Sequence, residues 1–88
     1  MNEQKISVGC VCLSAKGHDK GKAFLVFTVD GDYAYIVNGK DRKKQKPKKK
    51  KIKHLKFISA GDITLTEKLQ KGEEVANEKI RKLLSSHN

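Results

Sequence analysis

The sequence predicts one small, mainly β domain: a highly curved barrel with a projecting basic loop and a C-terminal α-helix. Three observations lead to it. At 88 residues the chain has room for a single hydrophobic core. Short β-branched and aromatic runs, punctuated by Gly, Asp and Asn, recur up to position 58, as in small β-barrels. Helical spacing stands out only near the end. Residues 1–60 therefore read as the barrel, with a basic loop at 40–56, and residues 61–88 as an extension with a helix at about 73–85.

Residues 6–13 are β-branched-rich and read as the first strand. Residues 14–22 are polar, contain Gly17 and Gly21, and read as a loop. The nearly continuous apolar run at 23–29 is expected to be a well-buried strand. Asp30-Gly31-Asp32 supplies turn chemistry before a strand at 33–37. Asn38-Gly39 favours a tight hairpin, because both residues accept positive φ, and this hairpin is expected to project the basic segment outward. Pro47 excludes a helix through that segment, and residues 52–58 read as the last strand. Near the end, Ala76, Ile80, Leu83 and Leu84 share one helical face, with Gly72 marking the break before it. Glu73 and Glu74 come early in that helix and Lys79, Arg81 and Lys82 late, which suits its dipole. The apolar face is expected to pack on the barrel, the alternative being a partner protein.

Charge is the strongest functional signal. The net charge is +10, and its location matters more than its size. Between positions 40 and 56 stand Lys40, Arg42, Lys43, Lys44, Lys46, Lys48, Lys49, Lys50, Lys51, Lys53 and Lys56 against one acid, Asp41. The other 71 residues hold nine basic and nine acidic side chains and balance. A neutral scaffold thus holds out one cationic strip, whose self-repulsion a polyanion would relieve. With almost nothing apolar to bury, the strip is expected to be disordered until bound.

Other chemistries find little support. Cys10 and Cys12 are too close for an unstrained disulfide along a strand and read as reduced packing residues. His18, His54 and His87 lack metal-site spacing, so neither a metal nor another cofactor is expected. A nucleotide-hydrolase phosphate loop needs Ser or Thr after its lysine and then a helix, whereas Lys22 is followed by Ala23 and a strand. No nucleophile–base spacing suggests an enzyme. No apolar run is long enough to span a membrane, and the polar start Met1-Asn2-Glu3-Gln4 lacks a secretion signal, so a cytoplasmic, monomeric protein is expected.

The glycine-punctuated first loop is the second clue. Val8-Gly9-Cys10-Val11, then Lys16-Gly17-His18-Asp19-Lys20-Gly21-Lys22 and an apolar strand, resembles the KOW motif of ribosomal proteins and NusG-type transcription factors. The later Pro47-Lys48-Lys49-Lys50-Lys51-Ile52-Lys53-His54-Leu55 resembles large-subunit ribosomal protein fourteen of the archaeal and eukaryotic type, and its short bacterial relatives. The resemblance spans about residues 5–58. It implies an SH3-like barrel that binds ribosomal RNA, of the large subunit, through its loops. In the first loop the implied contacts are Lys16, His18, Lys20 and Lys22, with Gly17 and Gly21 shaping the turn. The second set is the lysines flanking Pro47, with Lys53 and His54. Gly9 and Val11 fit the motif's turn and core positions. Neighbouring ribosomal proteins are candidate partners for the C-terminal helix.

The expected mechanism is phosphate neutralisation with counterion release, with selectivity from RNA shape. Lysine is suited to point-charge contact, and the strip's one arginine leaves little for bidentate base reading. Phe24, Phe27, Tyr33, Tyr35 and Phe57 are expected mainly in the core, although Tyr33 and Tyr35 share a face where an exposed ring can stack on a base. The alternatives are a KOW-type transcription or translation accessory factor and an SH3-like protein-interaction module. The latter lacks tryptophan and an evident aromatic cage. Membrane-surface binding lacks an apolar anchor.

Overall fold

The computed structural model describes residues 6–87; the polar start at 1–4 lies outside them. Five strands, β1 (Val11–Ser14), β2 (Ala23–Asp30), β3 (Tyr33–Val37), β4 (Lys48–Lys51) and β5 (Leu55–Ser59), form one antiparallel sheet in the order β4-β3-β2-β1-β5. A 3-10 turn, Ile52–His54, joins β4 to β5. Two helices follow, α1 (Ile63–Gln70) and α2 (Asn77–Leu84).

The continuous apolar run of β2 has a specific cause: both faces of the sheet are covered there. Phe24 and Val26 point to one side and pack with Cys10, Cys12, Ala34, Ile36 and Leu55. Ala23 and Leu25 point to the other and pack with Val11, Val37, Leu65, Val75, Ile80 and Leu84. The sheet therefore lies between its own curved interior and the C-terminal segment. Strand alternation sorts the residues into the two cores. An extra residue at Phe27 breaks the β2–β3 register between Val26 and Thr28, a β-bulge that sharpens the bend.

Several sequence expectations are corrected. The first strand is four residues long, not 6–13, because a turn through Val8 and Gly9 precedes it and Gly9 has φ of +90°. The last strand starts at Leu55, since Ile52–His54 turns as a 3-10 helix. The helix expected at 73–85 starts at Asn77 and ends at Leu84, leaving Glu73 and Glu74 ahead of it. No helix was expected at 63–70. Its start is nevertheless encoded: the Asp62 carboxylate accepts a hydrogen bond from the Thr64 N–H at 2.9 Å and caps α1. Its end is a left-handed cap at Gly72, where the Gly72 N–H bonds Leu69 O at 3.2 Å and the Glu73 N–H bonds Lys68 O at 2.8 Å.

The largest correction concerns the basic segment. It is not a disordered loop projected by a hairpin at Asn38-Gly39. Lys48–Lys51 form a strand on the sheet edge, in register with β3 as Tyr33↔Lys51, Ala34↔Lys50, Tyr35↔Lys49 and Ile36↔Lys48. Pro47 stands just before it, where no ladder N–H is needed, and the lysines keep the exposed edge from pairing with other chains. Lys48 and Lys50 are half-buried while Lys49 and Lys51 are exposed, so an all-lysine strand still obeys the period of two.

The expected packing of the last helix on its own sheet is present. Ile80 is 0% exposed and Leu84 1%, both in the cluster with Leu25 and Val37. Cys10 and Cys12 are reduced and buried, and burial followed by its neighbour Cys10 pushes the Cys12 thiol up to about 12. Among the described residues no helix is long and apolar enough to cross a membrane.

Candidate nucleic-acid interface

The β1–β2 loop, residues 15–22, is a tight turn held by its own backbone. The Lys20 N–H bonds Gly17 O at 3.1 Å, the Lys22 N–H bonds Asp19 O at 2.9 Å, and the Gly21 N–H returns to Ser14 O at 2.8 Å. Lys16, Gly17, His18, Lys20, Gly21 and Lys22 are all exposed on it. Asp19 alone is buried, at 8% exposure.

The sheet curves enough to bring β4 onto this loop. The Lys48 ammonium lies 2.5 Å from Asp19 Oδ2, and Lys50 donates to the Lys16 carbonyl at 2.7 Å. The hydrogen bond from Lys48 holds the Asp19 carboxyl below the usual aspartate range against its partial burial, and the charges of Lys48, Lys50 and Arg42 add to the effect. The Ala15 N–H bonds His54 O at 2.8 Å, which ties the 3-10 turn to the end of β1 and sets His54 near Lys16. Desolvation, then the charges of Lys16, Lys53, Lys51 and Lys50, holds the His54 imidazole below the usual histidine range. Such crowding of cations is unfavourable until an anion arrives.

The other half of the basic segment behaves differently. Asn38 folds the start of the 38–47 loop, its side-chain oxygen accepting the Lys40 and Arg42 N–H groups, both at 2.9 Å. The loop then lies against α2. The Lys44 N–H bonds Asn77 Oδ1 at 2.9 Å, the Lys44 ammonium pairs with Glu74 at 2.5 Å, and Arg81 donates to Gly39 O at 2.7 Å. Gly39 is required by this approach, since a Cβ there would sit 2.5 Å from Asn77 O. Lys40, Lys43 and Lys46 are exposed on this loop. Lys22 and Lys40 line one groove beside Asp41, whose carboxyl is held low first by Asn38 and, more weakly, by Lys22 and Arg42.

Thus Lys16, Gly17, Lys48, Lys50 and His54 come together, although they lie up to 38 positions apart in sequence, while Lys53, next to His54 in the 3-10 turn, lines a groove with Lys51 and Tyr33. Lys44 is drawn away to Glu74, and Lys49 and Lys51 lie on the opposite face of β4. Of the eleven basic residues in 40–56, Lys44 and Lys48 are ion-paired; the other nine have no salt bridge among the described residues. Sequence reasoning missed Asp19 and Asn38 as organisers. Asn38 carried a turn signal, but the partner of Asp19 is visible only once β4 is placed beside the loop. Among the described residues no group of three or more His, Cys, Asp or Glu is placed to hold a metal ion.

Neither the known protein families nor the curated proteins contain a match to this chain.

Proposed function

We propose that this chain is an RNA-binding protein of the KOW type, with an SH3-like barrel, acting in the cytoplasm on structured ribosomal RNA as a ribosomal or ribosome-associated protein. The observation that carries the reading is the meeting of two cationic segments. Lys50 reaches the Lys16 carbonyl at 2.7 Å, so the glycine-turned loop and the lysine strand present one continuous surface. Lysines on rigid backbone neutralise phosphates at fixed spacing, and each contact releases counterions. A rigid array selects by shape, because its charges fit only where RNA strands bring phosphates together. The glycine-turned loop, the basic run ending in Lys53-His54-Leu55, and a five-stranded antiparallel sheet in a small domain support the family reading.

The test is crosslinking in cells followed by sequencing of the attached nucleic acid. Ribosomal RNA should dominate, at sites lost when Lys16, Lys50 and Lys53 are replaced by Gln. Recovery chiefly of messenger or transfer RNA overturns the ribosomal assignment.

A further inference from the structure

The face of β3 and β4 turned away from Lys48 and Lys50 carries a different chemistry. Tyr33 and Tyr35 stand in register with Lys51 and Lys49, all four on one side of the sheet. Both rings are only half-buried, and the Lys49 ammonium lies 4.5 Å from the Tyr33 ring centroid. Tyr33 also walls an open groove of about 500 Å³ with Asp32, Lys51, Ile52 and Lys53. The Asp32 carbonyl accepts the Ile52 N–H at 2.9 Å, which fixes the two sides of the groove to each other. The exposed Asp32 carboxylate has no hydrogen bond or ion pair among the described residues.

We propose that this groove seats one unpaired nucleotide whose base carries an exocyclic amino group, stacked on Tyr33. The proposal rests on the RNA-binding reading and names what that reading leaves open. A ring set in a sheet face meets a base only when the base is splayed out of a helix, so the ligand is single-stranded at this point. Lys51 and Lys53 supply cations for its phosphates. Asp32 accepts hydrogen bonds and donates none, so it matches the amino group of cytosine, whereas uracil offers only an N3–H flanked by two carbonyl oxygens that repel a carboxylate. Ile52 offers an apolar wall to the sugar.

Tyrosine emission reads the site directly, because the chain has two tyrosines and no tryptophan. In the full chain, Tyr35→Phe leaves Tyr33 as the sole emitter. This protein is titrated with oligocytidylate, oligouridylate and an abasic sugar-phosphate oligomer of equal length. Oligocytidylate should quench the emission, oligouridylate should bind more weakly, and the abasic oligomer should bind without quenching. Tyr33→Leu should lower oligocytidylate affinity about 5- to 150-fold, the usual worth of one stacked base. Tyr33→Phe should retain the affinity, Asp32→Asn should narrow the gap between the two oligomers, and the salt slope should stay the same in all. Salt-dependent binding with unquenched Tyr33 and no effect of Tyr33→Leu overturns the stacking site and leaves the phosphate surface standing. Failure of all three oligomers to bind overturns the stacking site and counts against the RNA-binding reading as well.

Discussion

Replacing Lys16, Lys50 and Lys53 by Gln tests the cationic surface where the loop, β4 and the 3-10 turn meet. If the free protein engages six phosphates, the slope of log affinity against log salt is about −4 to −5. Each lost contact removes about 0.7 from that slope on a single strand and about 0.9 on a duplex, so three lost contacts leave roughly −2 to −3. Between 50 and 200 mM salt the parent should then weaken by about 500-fold and the variant by only about 30-fold. Lys44→Gln is the internal control. That ammonium is already 2.5 Å from Glu74, so its removal should leave the slope nearly unchanged. Fluorescence anisotropy with a labelled structured RNA at four salt concentrations gives both slopes, and circular dichroism checks that each variant keeps the parent fold. Equal slopes for the parent and the triple variant refute the reasoning. So does a Lys44→Gln effect as large as that of one of the three sites.

Three other outcomes follow from the geometry. Lys48→Met strands the Asp19 carboxylate, and should cost about 1–2 kcal/mol, which lowers the melting temperature by roughly 5–10 °C. Because the folded Asp19 pKa is depressed, the ion pair's contribution is present above the unfolded aspartate value and lost as pH falls through the lower folded one. The gap between parent and variant in urea melts should therefore close below about pH 4, and a gap unchanged at pH 2 contradicts the assignment. His54 should titrate below the ordinary histidine value in the free protein and shift upward when phosphates neutralise Lys16, Lys50, Lys51 and Lys53. Binding then takes up a proton, so affinity rises as pH falls through the bound-state value; an NMR titration showing no upward shift on RNA excludes His54 from the interface. Ile80→Ala should cost about 2–5 kcal/mol in chemical denaturation, since the side chain is wholly buried between α2 and the sheet. A cost well under 1 kcal/mol would mean that α2 is not part of the folding unit.

The sequence by itself determined the β character, the strands at 23–29 and 33–37, the apolar face of the last helix and the separation of charge into one strip. These are local properties. Periodicity, turn residues and a count of lysines need no partner to be read. It also named both halves of the candidate surface, Lys16 to Lys22 and Lys48 to His54. What it lacked was the pairing between them. A run of four lysines has no apolar alternation and poor strand propensity, so nothing within it announces a strand. β4 forms because β3 offers an open edge and because Asp19 and the Lys16 carbonyl wait beyond it to receive Lys48 and Lys50. The same holds for Lys44, which is a free cation in the sequence and a paired one beside Glu74. Tertiary structure decided which of the chain's many positive charges remain available, because an ion pair depends on distance through space, and sequence separation does not report it.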